Sequence, residues 1–207
     1  MTPNPITVPP NLPITEALAW MRREKVRRFP VVKKGKLVGI VAYDDLLYAS
    51  PSPATSLSVW EITYLLSKVQ VKEVMTREVI TVTEDCPIEE AARLMRDHKI
   101  GGLPVMRDGL LVGIITESDV FKLFLELFGA REKGVRLTVL APYLKGSLTQ
   151  ISSAITERGG LILALNTFLG TDATNWGCHL KVADISKDEL LEVVKPLVVE
   201  ILDVREI

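Results

Sequence analysis

Cysteine is scarce in this chain of 207 residues. Only Cys86 and Cys178 are present, and they lack the close spacing of a metal-binding pair. The two histidines, His98 and His179, are also far apart in the sequence. These absences argue against a disulfide framework and a zinc site. They predict two core thiols in a reducing compartment, no bound metal, and structural or exposed positions for both histidines.

An excess of charge of one sign is also missing. The chain has 25 basic and 26 acidic residues and a pI near 6.2, so it lacks the electrostatic footprint of a protein that binds nucleic acid or an anionic membrane. It has no unbroken apolar run of membrane-spanning length. Its first residues, Met-Thr-Pro-Asn-Pro, lack the basic start and apolar run of a signal peptide. We therefore expect a cytoplasmic protein that binds neither nucleic acid nor membrane.

The chain contains an internal repeat with a period of 74 residues. Residues 1–47 align without a gap on residues 75–121, and 20 of the 47 positions are identical. The shared motifs include Leu-Val-Gly-Ile at 37–40 and 111–114, each followed by an aspartate, Asp45 or Asp119. The threonine of the second copy, Thr116, is replaced by Ala42 in the first. The repeat predicts two similar structural units whose chemistry differs.

Both copies predict the same order of elements. A short β-rich run, Ile-Thr-Val, leads through a proline turn into a stretch whose apolar residues have helical spacing. Two strands joined by a tight turn at Gly35 or Gly109 follow, and then a second helix. Each unit is therefore predicted to be β-α-β-β-α. The linker between the copies, residues 48–74, has a turn signal at 50–53 and a helical pattern at 57–69.

The pattern changes after Gly134. Residues 134–207 predict a strand, a helix closed by Gly159 and Gly160, two strands, a helix with Ser186 as its N-cap, and a last strand. This order, β-α-β-β-α-β, is that of ferredoxin-like folds.

The spacing of the Leu-Pro-Val segment, the glycine turn and the Gly-x-x-Thr-x-x-Asp motif resembles the cystathionine-β-synthase (CBS) domain. The resemblance covers residues 1–128, with repeat one at 1–47 and repeat two at 75–121. In that family the motifs occur in pairs that pack into one disc-like unit, the Bateman module. The resemblance therefore implies a mixed α/β (α+β) fold, in which a CBS pair is followed by a ferredoxin-like domain.

The resemblance also implies where a ligand binds. In CBS pairs that bind nucleotides, the motif aspartate accepts from the ribose hydroxyls and the threonine or serine holds phosphate oxygens, as suits a carboxylate and a hydroxyl. Each of two clefts combines the motif of one repeat with the first strand and proline segment of the other. The first cleft would join the following residues: Ile114, Thr116, Ser118 and Asp119 with Ile6, Thr7, Val8, Arg27, Arg28 and Pro30.

The second cleft is expected to be the weaker one. It keeps a ribose acceptor, but it has neither the hydroxyl nor the arginines of the first. The sequence therefore predicts phosphate binding in the first cleft. The second cleft would join these residues: Ala42, Asp45, Ile80, Val82, Gly101, Gly102 and Pro104.

Structural explanations stay open for the same residues. Asp45 and Asp119 each precede a helical run and would serve equally as helix N-caps. Arg27 and Arg28 lie in the run RREKVRR, which is also typical of a solvated helix end. Glu117 repels phosphate unless a cation intervenes, so it favours AMP or adenosine over ATP, or requires Mg²⁺ with ATP.

The order of elements in residues 134–207, with a loop that ends in Gly146 before the first helix, resembles the ACT domain. This regulatory module often binds amino acids where two copies meet, and its loop commonly carries an acidic or amide residue before the glycine. Here the loop is Pro-Tyr-Leu-Lys-Gly at 142–146, so an amino-acid site at Gly146 and a purely structural or dimerising role both stay open. A CBS pair followed by an ACT-like unit is similar to the accessory B-type (AcuB-type) proteins of bacterial acetoin utilisation.

These observations predict a non-catalytic regulatory protein. Its expected ligand is AMP, ADP, ATP or a related adenosyl compound, and no cofactor is required. We expect a homodimer that acts on a regulated partner protein. The sequence has no P-loop, no Ser/His/Asp set and no Cys/His pair, which argues against an enzyme. The alternative is a scaffold without a ligand that dimerises and recruits a partner.

Overall fold

The structure, a computed structural model, describes residues 1–49, 64 and 68–207. The predicted turn at 50–53 and nearly all of the predicted helix at 57–69 lie outside the described residues. The chain forms two compact units, Met1–Val120 and Phe121–Ile207. The predicted domain limits, 1–128 and 134–207, stay a prediction about which segments fold independently. In the part of the chain that is described, no helix is long and apolar enough to span a lipid bilayer.

Each repeat contains two strands flanked by helices, in the order that the sequence predicts. The first repeat consists of β1 (Thr2–Pro3), α1 (Ile14–Glu24), β2 (Arg28–Lys33), β3 (Lys36–Ala42) and α2 (Tyr43–Tyr48). The second repeat consists of α3 (Val71–Val74), β4 (Val82–Thr83), α4 (Ile88–His98), β5 (Gly102–Arg107), β6 (Leu110–Thr116) and α5 (Glu117–Leu127).

The predicted Ile-Thr-Val strand is shorter than expected in both repeats. In the second repeat only β4 forms, and it pairs in parallel with Val105 and Met106 of β5. In the first repeat only Val8 pairs, through a single bridge to Val31. Pro9 and Pro10 follow Val8, and proline has no N–H to donate to a neighbouring strand, so the pairing cannot extend.

The tight turns are found where the glycines predict them. In both hairpins the two central turn residues have positive φ, at 50° and 78° for Lys34 and Gly35 and at 49° and 77° for Asp108 and Gly109. Positive φ at both central residues is typical of the two-residue turn that matches the twist of paired strands. The turns, together with an irregularity after Val31 and after Val105, set the register in which Arg28 lies opposite Ala42 and Gly102 lies opposite Thr116.

Each repeat has its own apolar core. In the first, Val8, Ile14, Met21, Phe29 and Leu46 are completely or almost completely buried. Complete burial of a side chain such as Phe29 contributes roughly 1.5–3 kcal/mol. In the second repeat the core is formed by another set of buried residues: Val82, Ala91, Met95, Leu103, Val105 and Ile115.

The two repeats exchange their first residues. Thr2 pairs antiparallel with Ile114 of β6, and Thr76 pairs antiparallel with Ile40 of β3. These two pairs are equivalent under the repeat, and both pass over a motif glycine. A Cβ atom on Gly39 would lie 2.5 Å from Met75 Sδ and 3.0 Å from the carbonyl oxygen of Thr76. The motif glycines therefore allow each repeat to receive the first residues of the other.

The second unit has the predicted ferredoxin-like order. It consists of β7 (Val135–Pro142), α6 (Ser147–Glu157), β8 (Leu161–Leu169), β9 (Asn175–Ala183), α7 (Lys187–Val194) and β10 (Glu200–Glu206). The strands form an antiparallel sheet in the order β10-β7-β9-β8. Ser186 is the N-cap of α7, as predicted, and its hydroxyl accepts from the Glu189 N–H.

Helices α6 and α7 pack on one face of this sheet. Ile151 and Ile155 of α6 and Leu190 of α7 are fully buried against alternate sheet residues such as Leu137 and Leu180. Because side chains alternate along a strand, the residues between these core positions point to the other face.

The exchange of first residues predicts different effects for the same substitution in the two repeats. Gly39→Ala should lower the free energy of unfolding by about 1–3 kcal/mol, because the new methyl group meets the half-buried Met75 and a backbone carbonyl. Gly113→Ala should cost less, because the new methyl group meets mainly Sδ of Met1, whose side chain is half exposed and can move. Urea unfolding of the two variants measures the difference. Equal losses of stability would contradict the steric contact inferred at Gly39.

Candidate ligand cleft between the repeats

Asp45 and Asp119 occupy equivalent places at the starts of α2 and α5. Each is the third residue of its helix and accepts a hydrogen bond from the backbone N–H just before the helix, from Ala42 at 2.8 Å and from Thr116 at 2.9 Å. Both bonds go to Oδ2, and no hydrogen bond to either Oδ1 is found among the described residues. Each aspartate therefore uses Oδ2 to cap the start of its helix, as the structural explanation predicts. Its Oδ1 can still accept a hydrogen bond from a ligand.

The hydroxyl that only the second repeat keeps is bound within its own motif. Thr116 Oγ1 donates to Asp119 Oδ2 at 2.9 Å. A hydroxyl has a single proton, so in this arrangement Thr116 can accept from a ligand but cannot donate to one. Donation to a phosphate oxygen would require it to give up a charge-assisted hydrogen bond. The predicted phosphate-binding role of Thr116 stays a prediction.

The two arginines assigned to the first cleft are directed to the second. Arg27 forms an exposed ion pair with Asp44, 3.6 Å between Nη2 and Oδ1. Arg28 is half-buried, and its Nη1 donates to the carbonyl oxygen of Gly101. Both contacts involve residues at the second cleft. The structure thus places the Arg28 guanidinium group at the second cleft, where the comparison of the repeats predicted no arginine.

Arg28 can point toward the second cleft because Gly101 and Gly102 have no side chains there. Under the repeat, Gly101 and Gly102 correspond to Arg27 and Arg28. A Cβ atom on Gly102 would lie 3.1 Å from Arg28 Cδ, and one on Gly101 would meet both the guanidinium and Glu117 Oε2. Burial lowers the pKa of Arg28 and the nearby Glu117 partly offsets this effect, but a guanidinium stays protonated in proteins.

A cavity of about 310 Å³ lies at the second cleft. Ile40, Ile80 and Ile100 contribute apolar walls, while Asp45 and Arg28 contribute polar groups. Asp44, Glu78 and Lys99 also line the cavity, so three carboxylates face two cations. Apolar walls with a few fixed polar groups are typical of small-molecule sites.

The remaining predicted residues lie in different surroundings. In the first cleft, Ile6, Thr7 and Ser118 are exposed, while Val8, Pro30 and Ile114 are buried. In the second, Ile80 lines the cavity, whereas Val82 and Pro104 are buried in β4 and β5. The ligand roles of these residues stay predictions.

Gly146 is the residue before α6 and has a φ of 89°. The loop before it is held by Pro142, whose carbonyl oxygen accepts from the Ser147 hydroxyl and from Trp176 Nε1, both at 2.9 Å. These contacts account for the loop conformation without a ligand, and an amino-acid site at Gly146 stays a prediction.

The comparison of the two repeats did not identify four residues that line the cavity: Asp44, Glu78, Lys99 and Ile100. The signal that would have located the cavity is the pairing of two arginines with two glycines in equivalent positions of the repeats. Within the described residues there is no group of three or more His, Cys, Asp and Glu side chains placed to hold a metal ion.

Comparison with known proteins identifies the first unit. The family model of the CBS domain matches residues 1–52 and 71–126, slightly more than half of the chain. This match confirms the predicted CBS pair. It ends at residue 126, so the resemblance of residues 134–207 to the ACT domain stays a prediction.

Individual relatives match the same part of the chain. The uncharacterized protein MJ1225 of Methanocaldococcus jannaschii is 33% identical over 132 residues, covering 60% of this chain and 45% of that protein, and its crystal structure aligns with a TM-score of 0.51. L-aspartate semialdehyde sulfurtransferase of the same organism is 35% identical over 124 residues, 58% of this chain and 21% of the enzyme. The chain spans less than half the length of these curated relatives.

A second similar structure is that of a shorter chain. The crystal structure of a protein assigned to acetoin utilization (AcuB) from Vibrio cholerae is 33% identical, has a TM-score of 0.52, and covers 63% of this chain and 90% of that chain.

The hydrogen bond within the Thr116 motif predicts a loss of stability without any ligand. Thr116→Val keeps the shape of the side chain but removes the donor to Asp119, and should lower the free energy of unfolding by about 1 kcal/mol. Thr116→Ser keeps the hydroxyl and should lose less. Urea unfolding of the ligand-free protein compares the two, and a Val variant as stable as the Ser variant would show that the hydroxyl contributes nothing to the fold.

Proposed function

Because the chain belongs to the CBS-domain family, we propose that it is a non-catalytic regulatory protein that binds an adenosyl ligand between its two repeats. The observation that carries this proposal is the cavity of about 310 Å³ in which Asp45, Arg28 and three isoleucines come together. Residues of both repeats line it, so a ligand there contacts both. Ligand binding and the packing of the two repeats are then linked.

The lining residues suit the parts of an adenosyl compound. Oδ1 of Asp45 is available to accept from both hydroxyls of a ribose. Ile40, Ile80 and Ile100 offer an apolar slot for the base. Arg28 supplies donors at the edge of the cavity, although its Nη1 already donates to Gly101.

The charges of the cavity favour a ligand with little negative charge. Asp44, Asp45 and Glu78 oppose Arg28 and Lys99, and Glu117 lies close to Arg28. A triphosphate would meet these carboxylates at short range, where like charges repel strongly. We therefore propose adenosine, AMP or an S-adenosyl compound as the ligand rather than ADP or ATP, which would need Mg²⁺ to shield the phosphates.

Two of the similar proteins bear on the biological role. The likeness to the Vibrio cholerae protein supports a link to acetoin utilisation, with a regulated partner protein that is still to be found. The match to the sulfurtransferase covers 21% of that enzyme, which is too little to transfer its activity to this chain.

The proposal predicts that equivalent substitutions in the two repeats differ in their effect on binding. Asp45→Asn should weaken the binding of adenosine, AMP or S-adenosylmethionine roughly tenfold to a hundredfold, because the ribose hydroxyls lose hydrogen bonds to a charged group. Asp119→Asn should leave the affinity for the second-cleft ligand unchanged. Isothermal titration calorimetry of both variants measures the affinities.

The two variants form a matched pair, because both aspartates accept from an N–H at a helix start and asparagine keeps an acceptor oxygen. Asp119 also accepts from the Thr116 hydroxyl, so Asp119→Asn should lower the unfolding temperature at least as much as Asp45→Asn, and a loss of affinity confined to Asp45→Asn would then not be a consequence of lost stability. An affinity that falls only in Asp119→Asn would place the ligand in the first cleft. If none of the three compounds binds the unmodified protein at millimolar concentration, the scaffold without a ligand is the better explanation.

We also propose that the protein is a homodimer. Helix α5 exposes large apolar side chains, including Phe121, which is 68% exposed, and Leu125 and Leu127. Such a group of apolar side chains is typical of a contact surface. Sedimentation equilibrium should give twice the chain mass, and Phe121→Lys should shift the protein toward the monomer. A monomer at high micromolar concentration would contradict the proposal.

A further inference from the structure

A second cavity, of about 290 Å³, lies on the face of the second unit's sheet that α6 and α7 leave uncovered. Arg136 on β7 and His179 and Lys181 on β9 line one side of it. Phe124 near the end of α5 and Phe128 just beyond it line the other side. No part of the predicted function uses these residues.

Strand register brings the polar groups together. Arg136 lies directly opposite Lys181, and Thr138 lies directly opposite His179. Their neighbours along the strands, Leu137 and Leu180, are fully buried in the core on the helix side. The alternation of side chains therefore places basic residues side by side on the other face.

Lys181 is the least expected of these residues, because its side chain is only 2% exposed. Its stem passes Gly129, where a Cβ atom would lie 3.4 Å from Lys181 Cγ. Among residues 1–49, 64 and 68–207, none forms a hydrogen bond or an ion pair with its ammonium group. Since Lys181 lines the cavity, its ammonium group is available to an anion there.

The carboxylate of Asp203 lies beside two arginines and forms no ion pair with Lys181. Asp203 Oδ1 accepts from Arg205 Nε at 2.7 Å, and Oδ2 lies 3.8 Å from Arg136 Nη2. Arg136 Nε and Asp203 Oδ2 are themselves buried without a hydrogen bond. One negative charge is thus shared by two arginines, and among the described residues Lys181 is left without an ion-pair partner.

His179 adds a polar group but little charge. Its Nδ1 lies 3.1 Å from Thr138 Oγ1. Burial lowers its pKa from the ordinary value, and the cations Arg136 and Lys181 lower it further, against an opposite effect of Asp203. The imidazole is therefore neutral at pH 7, and the positive charge of the cavity comes from Arg136 and Lys181.

The opposite wall is apolar. The Phe124 and Phe128 rings lie 4.3 Å apart between centroids, and the Phe128 ring lies 5.0 Å from that of His179. The volume of the cavity is at the lower end of the range for ligand pockets. A ligand that matches both walls has one anionic group and a short apolar body.

We propose that this cavity binds a small monocarboxylate, with its carboxylate at Lys181 and Arg136 and its apolar body against Phe124 and Phe128. Arginine and lysine together suit the two oxygens of a carboxylate. Lys181, the lining cation without an ion-pair partner in the described part of the chain, matches a monoanion better than a phosphate dianion. The site is separate from Gly146, which precedes α6, and it does not depend on the proposed adenosyl ligand.

The test is calorimetric titration of the full chain with sodium butyrate. Binding should weaken roughly tenfold or more in Lys181→Met, which removes the charge and keeps an unbranched stem of similar length. Lys195→Met should bind as the unmodified protein does, because Lys195 is an exposed lysine outside the cavity. Lys181→Met should be at least as stable to heat, since an apolar side chain often replaces a buried charge without loss.

Neutral and inorganic probes complete the test. Butyramide has the shape of butyrate without its charge and should bind much more weakly, and inorganic phosphate should bind more weakly than butyrate. Asp45→Asn should leave butyrate binding unchanged, so a failure of the adenosyl proposal would not be mistaken for a failure here. No binding of butyrate, equal affinity in the two lysine variants, or tighter binding of phosphate would overturn the proposal.

Discussion

The exchange of first residues between the repeats is the contact on which the candidate cleft depends. Thr2 pairs with Ile114 and Thr76 pairs with Ile40, so each repeat completes a strand arrangement in the other. The cavity has Asp45 from one repeat and Ile80 from the other because the second repeat's first residues pass along β3. A single repeat would present half of this cavity. Anything that changes how the first residues pair therefore changes the site, and a bound ligand would in turn favour the paired arrangement.

Much of the fold follows from patterns that are local in the sequence. The turns at Gly35 and Gly109 and the N-cap at Ser186 have their expected places. The first strand of each repeat was predicted too long, because only Val8 and Val82 of the two Ile-Thr-Val runs pair with a neighbouring strand. Pairing continues to Thr83 in the second repeat, whereas the prolines after Val8 lack the N–H groups that would continue it in the first.

The site was harder to predict than the fold because it depends on where long side chains point. The motif aspartates could be found from their spacing, and their role at the helix starts is equally local. The direction of Arg28 is not local, since it depends on the empty space above Gly101 and Gly102 in the other repeat. The single proton of Thr116 is a similar case. Its spacing suits both a ligand and Asp119, and only the geometry shows that Asp119 receives it.

The two cavities present polar groups of opposite charge. At the cleft between the repeats, a carboxylate oxygen of Asp45 is available beside further carboxylates, and it can only accept hydrogen bonds. At the sheet face, the ammonium of Lys181 lies beside Arg136 and can only donate. Both cavities pair these groups with apolar walls, so shape alone would not distinguish their ligands. Because desolvated polar groups need matching partners, a neutral diol that suits Asp45 gains little at Lys181, so the two proposals call for two different compounds.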